Sequence, residues 1–403
     1  MKKKVVVSGI IMSLVSFSGM AKQFVLTDSE KGIAVGDWHV SNQTLNIANS
    51  TTFSVQNNVL KGGKQAGSEV ITITSGDFII KLSPTRGMGI LSVEGEGIRL
   101  GWDSPVNEVV HPSFINLESR GGLGWLDGFN EMMVRCGFAW SGHATKADNM
   151  VYTLHGRAAN TPVSKLIVDI NDYAPYTITV KGLIKENTFK KSQLETWATL
   201  SYTPGSRSFI VKDTVTNQSD YPRDYQIIYH SNFGTPILEQ GARFIAPVKQ
   251  ISPFNHYAIS GLATWQTYLA PTPNFDEMVF NVIPYADKQG KTQVMLTNKD
   301  GDKGAGIAYN INQLPVLSLW KNTDTLKQGY VTGLEPGTSF AYPVTIERQQ
   351  GRVPQLAPKQ SVEFSLTYSL LANKADVTAY EAEIKAIQGT RQTSVLDKPL
   401  ANE

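Results

Sequence analysis

EVITITSGDFIIKL, residues 69–82, alternates apolar and polar side chains on both sides of a Ser-Gly-Asp turn at 75–77. This period of two is the pattern of strands that bury one face, and glycine beside aspartate between two such runs indicates a hairpin. The same alternation returns in 176–186, 194–203 and 207–216. The sequence therefore predicts an all-β fold.

Further strand-like runs, rich in Thr, Val, Ile, Tyr and Phe, continue the pattern toward the C-terminus. They are 225–231, 278–283, 292–298, 304–310, 315–320 and 361–370. Clear helical character is confined to 375–388, with Gly389 placed to end the helix. We expect one large antiparallel β-sandwich with few helices over residues 66–403. The polar, Asn-rich segment 22–65 is either an N-terminal appendage or the first strands.

The N-terminus has the layout of an export signal. Three lysines at 2–4 precede an apolar run at 5–17, and small residues then lead to Ala21. This pattern predicts a signal peptide over residues 1–21, so the mature chain begins at Lys22 in the periplasm. The apolar run is shorter than the roughly 20 residues of a membrane helix, so no membrane insertion is expected.

Charge and cysteine content restrict the partners. Without the three signal lysines the chain has 34 basic and 35 acidic residues. This balance gives no electrostatic footprint for nucleic acid or a membrane surface, and it favours a neutral partner. Cys136 is the single cysteine, so no intramolecular disulfide is possible, and we interpret it as a small buried hydrophobic residue.

Two histidines and one glutamate stand in polar, turn-rich segments that are far apart along the chain. His155 lies in LHGRAANTP, His230 in YHSNFGTPIL and Glu335 in VTGLEPGT, and the chain has six histidines in all. Imidazole and carboxylate groups give and take protons near neutral pH, so these residues are candidates for acid–base catalysis. Each has an ordinary alternative: a histidine satisfied in a strand, a histidine capping a turn, and a solvated glutamate at a strand-to-turn junction.

The order of the motifs LHG, YH-x-N-x-G and LEP resembles that of the aldose 1-epimerase (galactose mutarotase) superfamily. More closely, GGLGWLDGFNEMMVRCGF at 121–138, followed by LHGRAANTP, is similar to an epimerase-like branch whose domain has no assigned function. The resemblance covers residues 70–370. It implies a galactose mutarotase-like β-sandwich that binds a sugar, or an oligosaccharide, in a concave face.

The resemblance also implies a reaction, the interconversion of the anomers of an aldose. A base removes the proton of the C1 hydroxyl, an acid protonates the ring oxygen, and the roles reverse after the open chain rotates. His230 is then the acid and Glu335 the base, while His155 hydrogen-bonds the sugar and helps to polarise the ring oxygen. A nearby carboxylate is expected to hold His230 cationic near neutral pH. The chemistry requires no metal and no organic cofactor.

Further polar contacts to the sugar are implied in the same way. Arg135 corresponds to an arginine upstream of the first family histidine, and an ion pair with Glu131 is the alternative. Asp276 corresponds to the family aspartate that binds a sugar hydroxyl, and Glu277 is an equal candidate for that position.

The aromatic residues and the other histidines give weaker signals. Trp125 and Trp320 are candidate stacking platforms for the C–H face of a sugar, with the core as the alternative. His111, His143 and His256 share no metal-ligand spacing, so no metal site is expected.

Two function classes stay open besides the epimerase. The first is a non-catalytic carbohydrate-binding protein on the same scaffold, in which the same side chains only hydrogen-bond a sugar. A polysaccharide lyase or hydrolase is the second. A lyase needs a long basic cleft, and the near-neutral charge argues against it.

Overall fold

A computed structural model describes residues 21–48 and 51–401 of the 403-residue chain. All of the expected signal peptide except Ala21 lies outside the described residues, and export to the periplasm stays a prediction. Within the described ranges, no helix is long and apolar enough to cross a membrane.

The strands are numbered in chain order. The first half of the chain contains β1 Lys22–Asp28, β2 Ile33–Ala34, β3 Trp38–Ser41, β4 Phe53–Val59, β5 Glu69–Ser75, β6 Phe78–Ser83, β7 Gly89–Gly95, β8 Ile98–Leu100, β9 Met133–Phe138, β10 Thr145–Ala147, β11 Met150–Tyr152, β12 Lys165–Ile170, β13 Ile178–Asn187 and β14 Gln193–Tyr202. The second half contains β15 Ser208–Asn217, β16 Arg223–Asp224, β17 Gln226–Phe233, β18 Arg243–Ile245, β19 Val248–Pro253, β20 Met278–Pro284, β21 Lys291–Thr297, β22 Gly304–Asn310, β23 Val316–Asn322, β24 Val331–Gly337, β25 Gln355–Leu356, β26 Ser361–Leu371 and β27 Ser394–Val395.

Helices occupy little of the described chain. The α-helices are α1 Ser119–Gly122, α2 Val344–Gln349 and α3 Lys374–Gln388. Short 3-10 helices lie at Gly63–Gln65, Pro84–Arg86, Pro112–Phe114, Gly124–Gly128, Ala158–Asn160, Tyr257–Thr264 and Leu326–Gln328. The helix predicted at 375–388 is confirmed as α3. It begins after Asn373, whose side chain accepts a hydrogen bond from the Asp376 N–H, and it ends at Gly389, which has a φ of 58°.

Two large sheets form the sandwich. The ten-stranded sheet has the order β18-β21-β22-β26-β15-β14-β13-β12-β1-β2. The thirteen-stranded sheet has the order β27-β19-β20-β23-β24-β17-β9-β7-β6-β5-β4-β3, with β8 paired to β7. Pairing is antiparallel except between β19 and β27 at one edge. The prediction of a large antiparallel all-β sandwich is confirmed.

The strands predicted from alternation agree with the structure. Residues 69–82 form the hairpin of β5 and β6, in which Ser75 pairs with Phe78 across the predicted turn. The three longer runs that follow become β13, β14 and β15, which are consecutive neighbours in the ten-stranded sheet. In the N-terminal segment, β1 and β2 belong to the ten-stranded sheet, and β3 and β4 belong to the thirteen-stranded sheet.

The thirteen-stranded sheet is buried on both faces near its centre. In β17 every residue is buried, although period-two alternation predicts one exposed face. Ile227 and Tyr229 join the main core, to which both sheets contribute. Ile228 joins a second apolar cluster on the opposite, outer face, together with Trp125 and Phe129. The segments 102–132 and 139–160, which we call the cover, supply much of that second cluster.

An ion pair crosses the main core. Arg135 of β9 donates from Nε to Asp213 Oδ2 at 2.6 Å and from Nη2 to Oδ1 at 2.9 Å, and both side chains are fully buried. Tyr229 also donates its hydroxyl hydrogen to Asp213, over 2.9 Å. Since Asp213 lies in β15, these bonds connect the two sheets.

Asp213→Asn tests this connection. The variant keeps the side-chain shape but leaves the buried guanidinium without its counter-charge, so we expect the free energy of unfolding to fall by about 3–5 kcal/mol. Urea unfolding followed by circular dichroism measures the change. Lys212 lies on the same strand as Asp213 and forms a half-exposed pair with Glu363 of β26. Lys212→Ala is therefore the control and should cost less than about 1 kcal/mol. Equal effects of the two variants would contradict a structural role for the buried pair.

Candidate active site

His230 and Glu335 are opposite each other on neighbouring strands. Ser231 of β17 pairs with Leu334 of β24 in an antiparallel register, so the next residues in this register are His230 and Glu335. Directly opposed side chains leave the sheet on the same face, with Cβ atoms about 4.5–5.5 Å apart. Here that proximity brings His230 Nε2 within 3.1 Å of Glu335 Oε1. The strand register therefore forms the acid–base pair.

Glu335 lies inside β24, which corrects its expected place at the junction between a strand and a turn. Pro336-Gly337 resembles a turn in the sequence, but β24 is held between β17 and β23, and these long-range pairings override the local signal. As a consequence the Glu335 side chain is only 3% exposed instead of solvated.

A glycine makes room for the carboxylate. Gly333 precedes Glu335 by two residues and so lies on the same face of β24. A Cβ atom at this position would lie 2.3 Å from Glu335 Oε1 and 3.2 Å from Trp320 Cε3. Any larger residue would therefore compete with the carboxylate for its space.

Three aromatic rings enclose His230. Trp125 and Phe129 come from the cover, and their ring centres lie 6.0 and 5.2 Å from that of the imidazole. Trp320 of β23 comes from the sheet, with a ring-centre distance of 5.4 Å. The acid–base pair is thus closed in between the outer face of the sheet and the cover.

His155 reaches the same place from a tight turn of the cover. Its φ is 57° and that of Gly156 is 74°, so both residues have left-handed backbone. The His155 N–H donates to Gly142 O at 2.8 Å, and Gly137 N–H donates to His155 O at 3.0 Å. These bonds place the His155 ring centre 5.4 Å from that of His230. His155 is therefore both a turn residue and a neighbour of the pair.

These side chains line a cavity of about 480 Å³, a volume typical of small-molecule sites. The other lining residues are Arg120, Gly121, Leu123, Leu126, His143, Ala144, Leu154, Glu277, Val279 and Ala341. Among the lining side chains, three buried polar atoms have no aligned hydrogen bond within the described residues: Trp125 Nε1, His155 Nδ1 and Glu335 Oε1. Because buried polar atoms are nearly always paired, these three are suited to the hydroxyls of a ligand.

Burial shifts the proton affinities of the pair in opposite directions. It lowers the pKa of His230 to about 4, although the hydrogen bond with Asn232 raises it. Burial also raises the pKa of Glu335 well above its usual range, and the Glu277 carboxylate adds to that rise. The expectation of a cationic His230 is therefore wrong for the free site, because burial disfavours the imidazolium more than the hydrogen bond with Asn232 favours it. Near neutral pH His230 is therefore neutral in the free site, and the two opposite shifts favour keeping the proton of the pair on Glu335.

His155 is also held neutral. Burial lowers its pKa well below the usual range, and the nearby His230 and His143 lower it further. A neutral imidazole has one nitrogen that donates and one that accepts a hydrogen bond, so His155 can bind a hydroxyl without carrying charge.

Arg135, which was a candidate sugar contact, lies outside the cavity. It lies between the two sheets in its ion pair with Asp213, and it does not line the cavity. The alternative pairing with Glu131 is also wrong, because Glu131 is paired with Arg86 at 3.1 Å. The reason is strand alternation: Val134 and Cys136 face outward with the second cluster, so Arg135 between them faces the main core.

Of the two neighbouring acids, Glu277 lines the cavity and Asp276 does not. Glu277 Oε2 accepts a hydrogen bond from Trp320 Nε1 at 2.7 Å, while Asp276 Oδ1 accepts from the Glu277 N–H at 2.9 Å. Trp125 and Trp320 both line the cavity, as stacking platforms would.

Sequence reasoning missed three residues of the site: Phe129, Asn232 and Gly333. Asn232 had an available signal, since it follows His230 by two residues, one position beyond the predicted strand 225–231, and a strand that continued would place both side chains on one face. Phe129 had none, because the cover segment carries no periodic pattern. Within the described ranges, no three His, Cys, Asp or Glu residues are grouped so that they would hold a metal ion.

Gly333→Ala tests the space beside the carboxylate. The new Cβ should push Glu335 Oε1 away from His230 Nε2 to beyond about 3.5 Å, outside hydrogen-bond range. The end of the Glu335 side chain is flexible, but the Trp320 ring, 3.2 Å from the new Cβ, must also shift slightly, so a small fall in melting temperature is expected. A crystal structure of the variant measures the distance. Gly306→Ala, where the Cβ would meet the Tyr380 ring at 2.5 Å on the other sheet, is the matched control. An unmoved carboxylate in Gly333→Ala would show that the space is not limiting.

Comparisons with known proteins agree with this architecture. The sequence model of the domain of unknown function DUF4432 matches residues 65–370. A candidate aldose 1-epimerase from Klebsiella pneumoniae subsp. pneumoniae MGH 78578 has 59% sequence identity, and its crystal structure matches with a TM-score of 0.94 over 95% of this chain and 100% of that chain. A galactose mutarotase-like protein from Clostridium acetobutylicum shares the fold, with 13% identity and a TM-score of 0.52 over 83% of this chain and 98% of that chain. Among curated proteins, no sequence has significant similarity to this chain. The chain therefore belongs to the DUF4432 family, in the epimerase-like branch of the aldose 1-epimerase (galactose mutarotase)-like superfamily.

Proposed function

We propose that this protein is a carbohydrate epimerase that interconverts the anomers of an aldose by acid–base ring opening. The observation that carries the proposal is the contact of 3.1 Å between His230 Nε2 and Glu335 Oε1 at the wall of the cavity. Ring opening needs a base at the C1 hydroxyl and an acid at the ring oxygen, and these two oxygens are bonded to the same carbon. Two adjacent groups of opposite function match that requirement.

The protonation of the pair suits both directions of the reaction. Glu335 with its proton and neutral His230 have the same net charge as the Glu335 carboxylate beside a cationic His230, because the two forms differ by the transfer of one proton. Hydroxyls that donate to Glu335 stabilise the second form. In that form the carboxylate takes the C1 proton while His230 Nε2 donates to the ring oxygen. The C1 to ring-oxygen bond breaks, and the first form is left beside the open-chain aldehyde.

Closure uses the same groups in the opposite roles. After rotation about the C1–C2 bond, Glu335 returns its proton to the C1 oxygen, and His230 Nε2 takes the proton of the hydroxyl that attacks C1. The other anomer results, and the pair regains its starting form. His155 Nδ1 and Trp125 Nε1, which have no hydrogen-bond partner in the part of the chain that the structure describes, would hold sugar hydroxyls during both steps.

The charges of the cavity favour an uncharged substrate. Glu277 and Glu335 both line it, and they are close enough for one carboxylate to raise the pKa of the other. Arg120, the lining arginine, is already ion-paired with Asp127 at 2.7 Å. A uronic or sulfated sugar would meet a carboxylate without a free guanidinium beside it. A neutral aldose, with its C–H face against the aromatic rings, avoids that repulsion.

A non-catalytic carbohydrate-binding protein is the second candidate. The same unpartnered atoms and aromatic rings would bind a sugar without changing it. The two functions differ in whether the basicity of Glu335 matters.

Glu335→Gln separates the two candidates. The amide keeps the shape of the side chain but has no basicity, so kcat should fall by roughly 10²–10⁴-fold while sugar affinity changes little. Anomer exchange measured by NMR or polarimetry on a panel of neutral and acidic aldoses gives the rates. Glu186→Gln, another buried carboxylate with a raised pKa but outside the cavity, is the control and should keep its activity. If the wild-type protein binds a sugar but never exceeds the uncatalysed rate of anomer exchange, the epimerase proposal is wrong and the binding function takes its place.

The pH dependence of kcat/KM should be bell-shaped, because the pair works when it holds one exchangeable proton. On the acid side activity should fall as the pH drops through about 4, where His230 takes a second proton. On the alkaline side activity should fall as the pH rises through the raised pKa of Glu335, where the pair loses its proton. Anomer-exchange rates from pH 3.5 to 9.5 measure both limbs. An alkaline limb near the ordinary histidine pKa of about 6.5 would show instead a solvated, uncoupled pair.

A further inference from the structure

Asn232 contacts the ring nitrogen of His230 that faces away from Glu335. It follows His230 by two residues in β17, so it shares that face of the sheet, and its side chain is fully buried. Its Oδ1 lies 2.7 Å from His230 Nδ1. The imidazole therefore has a polar neighbour at each nitrogen: the Asn232 amide, hydrogen-bonded at Nδ1, and the Glu335 carboxyl, 3.1 Å from Nε2.

The direction of the Asn232 amide is determined by its other bonds. Its Nδ2 lies 3.0 Å from the Glu131 carbonyl oxygen and 3.2 Å from the His230 carbonyl oxygen. Carbonyl oxygens only accept hydrogen bonds, so the NH₂ group must be at this end and Oδ1 at the other. An amide oxygen also only accepts, and His230 Nδ1 must then carry the hydrogen of the contact. Neutral His230 is thus the Nδ1–H tautomer, and its lone pair is on Nε2, the nitrogen that lies 3.1 Å from Glu335 Oε1.

Glu131, which orients the amide, is itself fixed by buried contacts. Its carboxylate accepts from Arg86 Nη2 at 3.1 Å, and both side chains are almost completely buried. Its carbonyl oxygen accepts a second hydrogen bond, from Trp102 Nε1 at 3.1 Å. A continuous set of contacts therefore runs from Arg86 through Glu131 and Asn232 to the imidazole.

We propose that Asn232 is a positioning residue that holds His230 in the Nδ1–H tautomer, so that the exchangeable proton of the acid–base pair is carried at Nε2, facing Glu335. The catalytic part of this inference rests on the proposed epimerase function, whereas the tautomer does not. In the opposite tautomer Nε2 already carries a hydrogen and cannot accept the proton of the attacking hydroxyl. Half of the cycle would then be blocked, although every side chain is in place.

The tautomer is measured first in the unchanged protein. With ¹⁵N-labelled histidine, two-bond ¹H–¹⁵N correlation spectra distinguish a protonated ring nitrogen from one with a lone pair, and His230→Gln assigns the signal. At pH 7 we expect a protonated Nδ1 and an unprotonated Nε2. A protonated Nε2 in the wild type would overturn the proposal, whatever the activity of the protein.

Two variants test the cause. Asn232→Leu removes the acceptor, so the Nε2–H form should become the main tautomer, and kcat should fall about 10- to 100-fold, as for other groups that orient a functional histidine. KM should change less than about threefold, because Asn232 does not line the cavity. Asn232→Asp keeps an acceptor oxygen, so it should retain the Nδ1–H bond and more of the activity than the leucine variant. Loss of kcat in proportion to the Nε2–H population supports the proposal.

The matched control is Asn217→Leu. Asn217 is also fully buried, and its amide donates to the carbonyl oxygens of Tyr221 and Leu356, far from the cavity. It should lose stability without changing the His230 tautomer or kcat. If Asn232→Leu is folded and keeps either the wild-type tautomer or the wild-type kcat, Asn232 is not a positioning residue. If the wild type shows the Nδ1–H tautomer but no anomer exchange, the epimerase proposal fails, while the assignment of the tautomer to Asn232 stands or falls with the spectra of the variants.

Discussion

The pairing of β17 with β24 is the constraint on which the rest of the site depends. Because Ser231 is opposite Leu334, His230 is opposite Glu335, and a shift of either strand by one residue would turn its side chain into the main core and separate the pair. The same register places Asn232 opposite Gly333, so an asparagine holds the imidazole while a missing side chain leaves room for the carboxylate. Four residues on two strands thus determine the position, the tautomer and the partner of one proton.

Burial of that pair gives it its chemistry. The cover and the outer face of the sheet exclude water from His230 and Glu335, and desolvation then makes the imidazole less basic and the carboxyl less acidic. With their ordinary pKa values the two groups would form an ion pair. Burial instead favours the uncharged pair, which differs from the ion pair by the transfer of one proton and has the same net charge. Such unpaired and desolvated groups reduce stability, which the large two-sheet core offsets elsewhere.

The two buried arginines near the site show how the scaffold supports it. Arg135 connects the sheets through Asp213 directly behind the site, and Arg86 holds Glu131, whose carbonyl oxygen orients Asn232. Neither guanidinium reaches the cavity. The cavity consequently has little positive charge of its own, which is the basis for proposing an uncharged sugar rather than an acidic one.

Local pattern in the sequence determined the strands, the hairpin at 69–82, the helix at 375–388 and the residue types able to move a proton, because alternation and turn chemistry act over a few neighbouring residues. Tertiary structure alone decided that His230 and Glu335 touch, that Arg135 faces the main core and that Glu277 rather than Asp276 lines the cavity. It also decided that His230 is neutral in the free site. The physical reason is that register and desolvation arise from the pairing of strands about 100 residues apart, and no local signal in either strand records them.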